Sequence, residues 1–217
     1  MKTTIANIIR DKKGWYNPFV YVAGTHALWA GLLIIILSSL IGHASGVYFP
    51  GVLDGKIGWE SGFPMHLGLS LIAWLCMVVV FYPMALILSP TKVRLADIAG
   101  TQALARAPML LSALAGFPKV IDKVTASIMY RFVEHIETYV DVEVKDWADP
   151  GPISSWEVLF AVLITLVFIL ATVWMVVLMF HAYRISSNVK GVRAGISFTI
   201  GLLIAQGLST FIVFRWF

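Results

Sequence analysis

Residues 97–119, DIAGTQALARAPMLLSALAGFPK, lie midway between two pairs of strongly apolar segments and decide the fold. Residues 103–117 contain no acid and are rich in Ala and Leu, which predicts a helix. This helix also holds Arg106 and Pro108, and Pro118 closes it. At about 1.5 Å per residue it reaches only about 22 Å, short of the roughly 30 Å hydrocarbon core of a bilayer. Whether it spans or re-enters decides on which side of the membrane all later residues lie.

The composition is that of a membrane protein. Hydrophobic residues make up 59% of the 217 residues and charged residues only 13%, whereas soluble domains carry about 25% charged residues. Four segments without Asp, Glu, Lys or Arg are long enough to span unaided. These are residues 20–41, 66–88, 158–181 and 194–214. With residues 103–121 as a further span, the sequence predicts a single all-α membrane domain over residues 1–217, a polytopic bundle of about five spans.

The distribution of basic residues leaves two topologies to compare, because Lys and Arg favour the cytoplasmic side. With five spans and a cytoplasmic N-terminus, the inner side holds 10 Lys and Arg and the outer side 6. A re-entrant central segment changes the split to 12 and 4. We nevertheless favour five spans. The turn at residues 184–193, RISSNVKGVR, packs three basic residues directly between two spans, where this bias acts most strongly.

Two connecting segments have distinctive patterns. Residues 120–147 carry apolar residues at spacings of three and four, which predicts an amphipathic helix between spans 3 and 4. Its other face is acidic, so we expect it to pack against the bundle or to lie on an uncharged surface. Residues 42–65 form a long connector with four aromatic residues, which we expect to fold back onto the membrane surface. Ser154 and Ser155 are candidate caps for the following span.

Small residues form stripes on two spans. Ala23, Ala27 and Gly31 recur every four residues on span 1. On span 5 a second stripe combines Gly201 and Ala205 with serines at the same spacing. Such stripes allow another backbone to approach closely. We therefore expect both stripes to face other helices, either within the bundle or in a homo-oligomer.

Arg106 is the only charge well inside an apolar run. Intramembrane charges are costly and mark functional sites. Gln102 and Thr101 precede it, and His26 and His181 lie near the same end of neighbouring spans. We expect these residues to form a polar site at the inner leaflet that binds an anionic lipid headgroup or an anionic partner group. The alternative is that Arg106 only snorkels to the interface.

Other functional classes find little support in the sequence. The predicted spans contain no acidic residue, which argues against a proton- or sodium-coupled transporter. A metal site needs three or four convergent ligands, and none is predicted. HExxH, G-x-S-x-G and phosphate-loop motifs are absent, so we expect neither an enzyme nor a cofactor. The net charge of +4 is explained by loops beside an anionic leaflet, and a nucleic-acid partner is not expected.

Several features together resemble the bacterial Yip1 family. They are the five-span pattern, the basic tail ending in Asn17-Pro18-Phe19, residues 97–111 (DIAGTQALARAPMLL) and residues 187–191 (SNVKG). Eukaryotic members of that family are described as trafficking factors that bind small GTPases and shape vesicle membranes. Their Asp-Leu-Tyr-Gly-Pro motif is reduced here to Asp97 and Gly100, so the GTPase role is not carried over.

The resemblance implies a non-catalytic protein of the bacterial inner membrane with a cytoplasmic N-terminus. It would act as a membrane-organising scaffold, or as a protein that binds lipid or a protein partner. Two alternatives stay open. A permease or channel-like transporter of a small or amphipathic solute would have a polar, water-accessible cavity reaching the midplane, whereas a scaffold would have a dry core. A lipid-handling enzyme would bring outer acids and histidines into one pocket.

Overall fold

The computed structural model describes residues 17–58, 61–137, 149 and 151–216. Its α-helices are α1 (Gly24–Ser45), α2 (Phe63–Leu88), α3 (Leu95–Leu104), α4 (Met109–Ala115), α5 (Val120–Glu137), α6 (Ser155–Ser187) and α7 (Gly191–Trp216). A 3-10 turn at Pro18–Val20 precedes α1. The strands β1 (Val47–Tyr48) and β2 (Lys56–Ile57) pair antiparallel between α1 and α2 and form a hairpin over residues 47–57. The prediction of an all-α helical bundle is confirmed.

Helices α1, α2, α6 and α7 are each long and apolar enough to cross a membrane. They contain three of the four segments that the sequence predicted as unaided spans, and α1 covers residues 24–41 of the predicted span 20–41. A fifth candidate is a bent pair, Leu95–Ala115 followed by Val120–His135, whose axes differ by 68°. The four long helices are therefore integral membrane elements by length and composition. The central segment differs from them because it is broken and qualifies as a span only as part of a bent pair.

Local signals explain where two of these helices begin and end. Helix α6 starts with a capping box, in which the side chain of Ser154 accepts from the amide of Glu157 and the Glu157 carboxylate accepts from the amide of Ser154. Ser154 is thus confirmed as a cap. Helix α1 ends at Gly46, whose left-handed φ of 77° lets its amide donate to the carbonyl of Gly42.

The central segment, which consists of α3 and α4, crosses the bundle beside α1. A Cβ atom added to Gly100 would lie 2.6 Å from the carbonyl oxygen of Gly24, near the start of α1. One added to Gly116 would lie 3.1 Å from the carbonyl oxygen of Ser45, at its end. The two segments therefore run parallel from one end of the bundle to the other. The central segment does not return to the end where it began.

The bounds of the central helix differ from the prediction. Helix was expected over residues 103–117 and a span over 103–121, but the structure begins α3 at Leu95 and ends α4 at Ala115. Asp97 lies in the first turn of α3, where an acidic side chain interacts favourably with the helix dipole. The added turns give the central segment enough length to match its neighbour α1.

The connector between α1 and α2 folds into the bundle. We expected it on the membrane surface, and that prediction was wrong. Val47, Phe49 and Val52 are buried, and the loop between β1 and β2 reaches the aromatic ring of Phe168 in the middle of α6. Burying apolar loop residues between helices removes them from water more completely than a surface position would.

Helix α5 lies across one end of the bundle. It packs against the first half of α6, and Lys123 forms an ion pair with Glu157 there. Ile128, Met129 and Phe132 stay exposed along its length. The predicted packing against the bundle thus holds for one side of this helix only. The last part of the predicted segment, residues 138–148, lies outside the described residues.

Candidate anion-binding site at the break in the central helix

Arg106 lies in the turn between α3 and α4, about 16 Å along the central segment from Leu95 at 1.5 Å per residue. It is only 1% exposed and is the largest fully buried side chain of the described residues. A side chain that only snorkels to the interface is inconsistent with this burial, whereas the position at the inner leaflet stays a prediction. Helix packing on all sides holds this arginine near the middle of the bundle.

The turn that carries Arg106 is a break in regular α-helix. The amide of Arg106 donates to the carbonyl of Ala103 at 3.2 Å, and that of Ala107 donates to Leu104 at 3.1 Å. These three-residue hydrogen bonds tighten the chain into a 3-10 turn. Pro108 has no amide hydrogen to donate, which removes the next bond of the α-helical pattern. The side chain at 106 is therefore presented by a non-ideal turn rather than by a continuous helix.

The guanidinium of Arg106 carries unsatisfied donors. Its Nη1 and Nη2 atoms are buried and make no hydrogen bond to any residue that the structure describes. Gln102, one turn earlier, uses its Nε2 to donate to the carbonyl of Met179 on α6 at 3.2 Å. The Oε1 atom of Gln102 is also buried and accepts no hydrogen bond. Two donors and one acceptor on adjacent turns are thus left unsatisfied in the interior, where such groups are costly.

Acidic side chains that could neutralise Arg106 lie elsewhere. Among the described residues, Asp54 accepts from Gln206, Glu157 pairs with Lys123, and Asp97 lies at the start of α3. None of them reaches the guanidinium, which makes no ion pair. The charge is therefore not balanced from within the described part of the chain.

The other residues predicted for this site are not brought to the guanidinium. The hydroxyl of Thr101 donates to the carbonyl of Asp97 at 2.7 Å, inside its own helix. His26 is exposed on the first turn of α1. His181 is half-buried and its ring lies 5.7 Å from that of Phe180. Of the five candidates, only Arg106 and Gln102 are buried with unsatisfied polar atoms, and they lie one turn apart along the central segment. The prediction misplaced the two histidines, because the sequence gives the position of a residue along its helix but not the direction in which its side chain points.

A second polar contact joins the hairpin to α7 through the side chain of Gln206. Its Oε1 accepts from the backbone amide of Leu53 at 2.9 Å, and its Nε2 donates to Asp54 at 2.8 Å. Asp54 was missed because it lies in a loop that was expected on the surface. This contact ties the inserted hairpin to the middle of α7.

The small residues predicted for helix packing are mostly at close contacts. Ala27, Gly31, Gly201 and Ala205 are buried. A Cβ on Gly31 would lie 2.4 Å from Cβ of Ala103, so α1 and α3 touch through their backbones. The prediction that Ala23 packs against another helix was wrong. Ala23 is exposed and precedes α1, because Gly24 takes a positive φ of 62° and starts the helix after it.

No family model matches this chain, and neither a curated protein nor a solved structure matches it. Among the residues that the structure describes, no group of three His, Cys, Asp or Glu is placed to hold a metal ion.

Proposed function

We propose that this chain is a non-catalytic, Yip1-like integral membrane protein that organises the bilayer around it. The observation that carries the proposal is the orientation of α5. Its axis is bent by 68° from the central segment, which runs along the bundle. If the bundle stands upright in the membrane, α5 lies close to the membrane plane at one interface. An amphipathic helix in that position inserts its apolar face among lipids and responds to curvature.

The surface of α5 suits this role. A groove of about 400 Å³ runs between α5 and the first half of α6, and its lining is almost wholly apolar. Ile121, Val124 and Ile128 form its α5 side. Arg131 and Glu134 are exposed and line a second, more polar groove on α5. Because the lining of the groove between α5 and α6 is apolar, we propose lipid acyl chains as its occupants.

The interior of the bundle also supports a scaffold. A cavity beside the hairpin, lined by residues such as Phe49, Met109 and Met175, has a volume of only about 10 Å³. That is about the least space that can hold one water molecule. A scaffold is expected to have a dry core of this kind, whereas a permease in an open state has a wet one.

The proposal is tested with purified protein reconstituted into zwitterionic vesicles at a fixed protein-to-lipid ratio. Vesicle diameters are measured by electron cryo-microscopy. We expect the wild type to shift the distribution to smaller or tubular vesicles. The double variant Ile128→Glu/Phe132→Glu is expected to lose this shift, because two charges on the apolar face oppose insertion.

Ala126→Glu is the matched control, because Ala126 is exposed on the polar side of α5. It should shape vesicles like the wild type. Thermal unfolding in detergent checks that all variants are folded. If wild-type vesicles have the same diameters as protein-free vesicles, the bilayer-organising function is ruled out.

A permease is the second candidate, and the inserted hairpin favours it. Non-helical backbone at membrane depth is tolerated only when it is buried in protein or lines a water-filled cavity. Ser112 lies beside the hairpin cavity. In a Cys76→Ser background, Ser112→Cys in sealed vesicles should resist small thiosulfonate reagents in a scaffold. Rapid modification would instead indicate an open aqueous path and favour the permease.

A further inference from the structure

We infer that Arg106 and Gln102 form a binding site for a small oxyanion that carries a proton, such as hydrogen phosphate or bicarbonate. The inference is independent of the scaffold proposal. A bound anion would be a fixed counter-ion in a scaffold and a cargo in a permease.

The positive charge of Arg106 is unbalanced within the described residues. Arg106 is 1% exposed, and its Nη1 and Nη2 atoms have no hydrogen-bond partner. A buried ion without a partner is strongly destabilising, because nothing replaces the water that it has lost. The described acids are engaged or lie elsewhere. An anion from outside the described chain is the simplest source of the missing charge.

The unsatisfied atoms of Arg106 and Gln102 define which anion fits between them. The two Nη atoms of Arg106 are donors in a planar fork, which matches two oxygens of a phosphate or carboxylate-like group. The free Oε1 of Gln102 is an acceptor, since its Nε2 already donates to the carbonyl of Met179. A ligand that satisfies all three atoms accepts twice and donates once. A protonated oxyanion does this, whereas chloride and nitrate have no hydrogen to donate.

An anion can reach Arg106 through the break in the central helix. Arg106 lies in a 3-10 turn next to Pro108, where regular α-helical hydrogen bonding is interrupted. Interrupted helices often mark functional hinges. A small ion needs only a local opening of this turn. A lipid headgroup would have to bring its tails to the middle of a packed bundle, so the burial of Arg106 favours a free ion over a headgroup.

The test uses the full chain in nanodiscs of phosphatidylcholine. Equilibrium dialysis with radiolabelled phosphate measures the phosphate bound per chain. We expect one phosphate per chain, and a thermal midpoint raised on the order of 5 °C at saturation. Chloride and nitrate at matched ionic strength should leave the midpoint within about 1 °C. A parallel arm replaces free phosphate with phosphatidic acid in the nanodisc, and stabilisation in that arm alone would assign the same site to a lipid phosphate.

Three variants make the test specific. Arg106→Lys keeps the charge but not the fork, and should bind phosphate at least tenfold more weakly. Gln102→Glu places a carboxylate one turn from Arg106. It should fold without phosphate and no longer bind it, so loss of binding is separated from loss of folding. Arg184→Gln is the control, because Arg184 is exposed and lies over the ring of Phe180, and it should bind like the wild type.

The inference is overturned if neither free phosphate, bicarbonate nor phosphatidic acid raises the midpoint of the wild type. It is also overturned if Gln102→Glu binds phosphate as the wild type does. Neither result bears on vesicle shaping by α5, so the two proposals fail separately.

Discussion

At the scale of single residues, Gly31 and Gly68 show how differently two glycines in apolar helices are used. A Cβ on Gly31 would lie 2.5 Å from the backbone nitrogen of Leu104, and backbone atoms cannot give way cheaply. A Cβ on Gly68 would meet nothing within 4 Å. We predict that Gly31→Ala lowers the free energy of unfolding by about 1–3 kcal/mol through overpacking.

Gly68→Ala is the matched control for that change. It should be neutral or should stabilise by up to about 1 kcal/mol, because alanine has the higher helix propensity. Both are measured by reversible unfolding in mixed micelles. Equal effects of the two substitutions would mean that the contact between α1 and α3 is looser than the structure shows.

Gly201 gives a second residue-level prediction. A Cβ there would lie 2.5 Å from Cε1 of Phe81, whose ring is buried and stacks on Phe198 with centroids 5.6 Å apart. We predict that Gly201→Leu destabilises by about 1–3 kcal/mol or more. Gly207→Leu on the same helix points into open space and should stay within about 0.5 kcal/mol. If both substitutions lower the free energy of unfolding by similar amounts in the same assay, the predicted packing stripe does not contribute to stability.

At the scale of elements, Gln206 of α7 makes two hydrogen bonds that help to hold the hairpin in the bundle. Gln206→Leu leaves the amide of Leu53 and the carboxylate of Asp54 without their partner. Unsatisfied groups of this kind cost about 1–3 kcal/mol each. We predict a loss of at least that size in the free energy of unfolding, together with faster proteolysis between β1 and β2.

Thr210→Val is the control, since Thr210 is exposed and bonds only to the side chain of Gln206 in the described structure. It should cost no more than about 0.5 kcal/mol. If Gln206→Leu is as mild as this control and cleavage is unchanged, the hairpin is held by its apolar contacts alone.

At the scale of the whole molecule, contacts define the two ends of the bundle. Met109 and Ser112 lie beside Met175, and Gln102 bonds to Met179, so α6 runs antiparallel to the central segment. The turn after α6 is therefore at the end where α3 begins. We predict that Lys190→Cys and Thr91→Cys, each on a Cys76→Ser background, label from the same side of sealed vesicles with an impermeant maleimide.

Ala126→Cys on α5 should label only from the opposite side. We expect the Lys190 side to be the cytoplasmic one, because basic residues crowd both turns at that end and Lys and Arg favour the cytoplasmic side. Labelling of all three cysteines from one side would show that the central segment does not cross the membrane.

Much of this architecture was predictable because its causes are local. A long run without charges specifies each of the four spans, and a Ser with Glu three residues later specifies the start of α6. The spacing of apolar residues in α5 also follows from its own sequence. Arg106 was recognisable as unusual by the same local reasoning, since it is a charge among apolar residues.

What the sequence alone determined is thus an all-α membrane protein with a charge at the centre of its least regular segment. Tertiary structure alone decided that Arg106 is buried, that it lies with Gln102 and without His26 or His181, and that the hairpin enters the bundle. The physical reason is that burial and pairing depend on groups far apart in the chain. Leu53 meets Gln206 across 153 residues and Gln102 meets Met179 across 77, and no local pattern records such contacts.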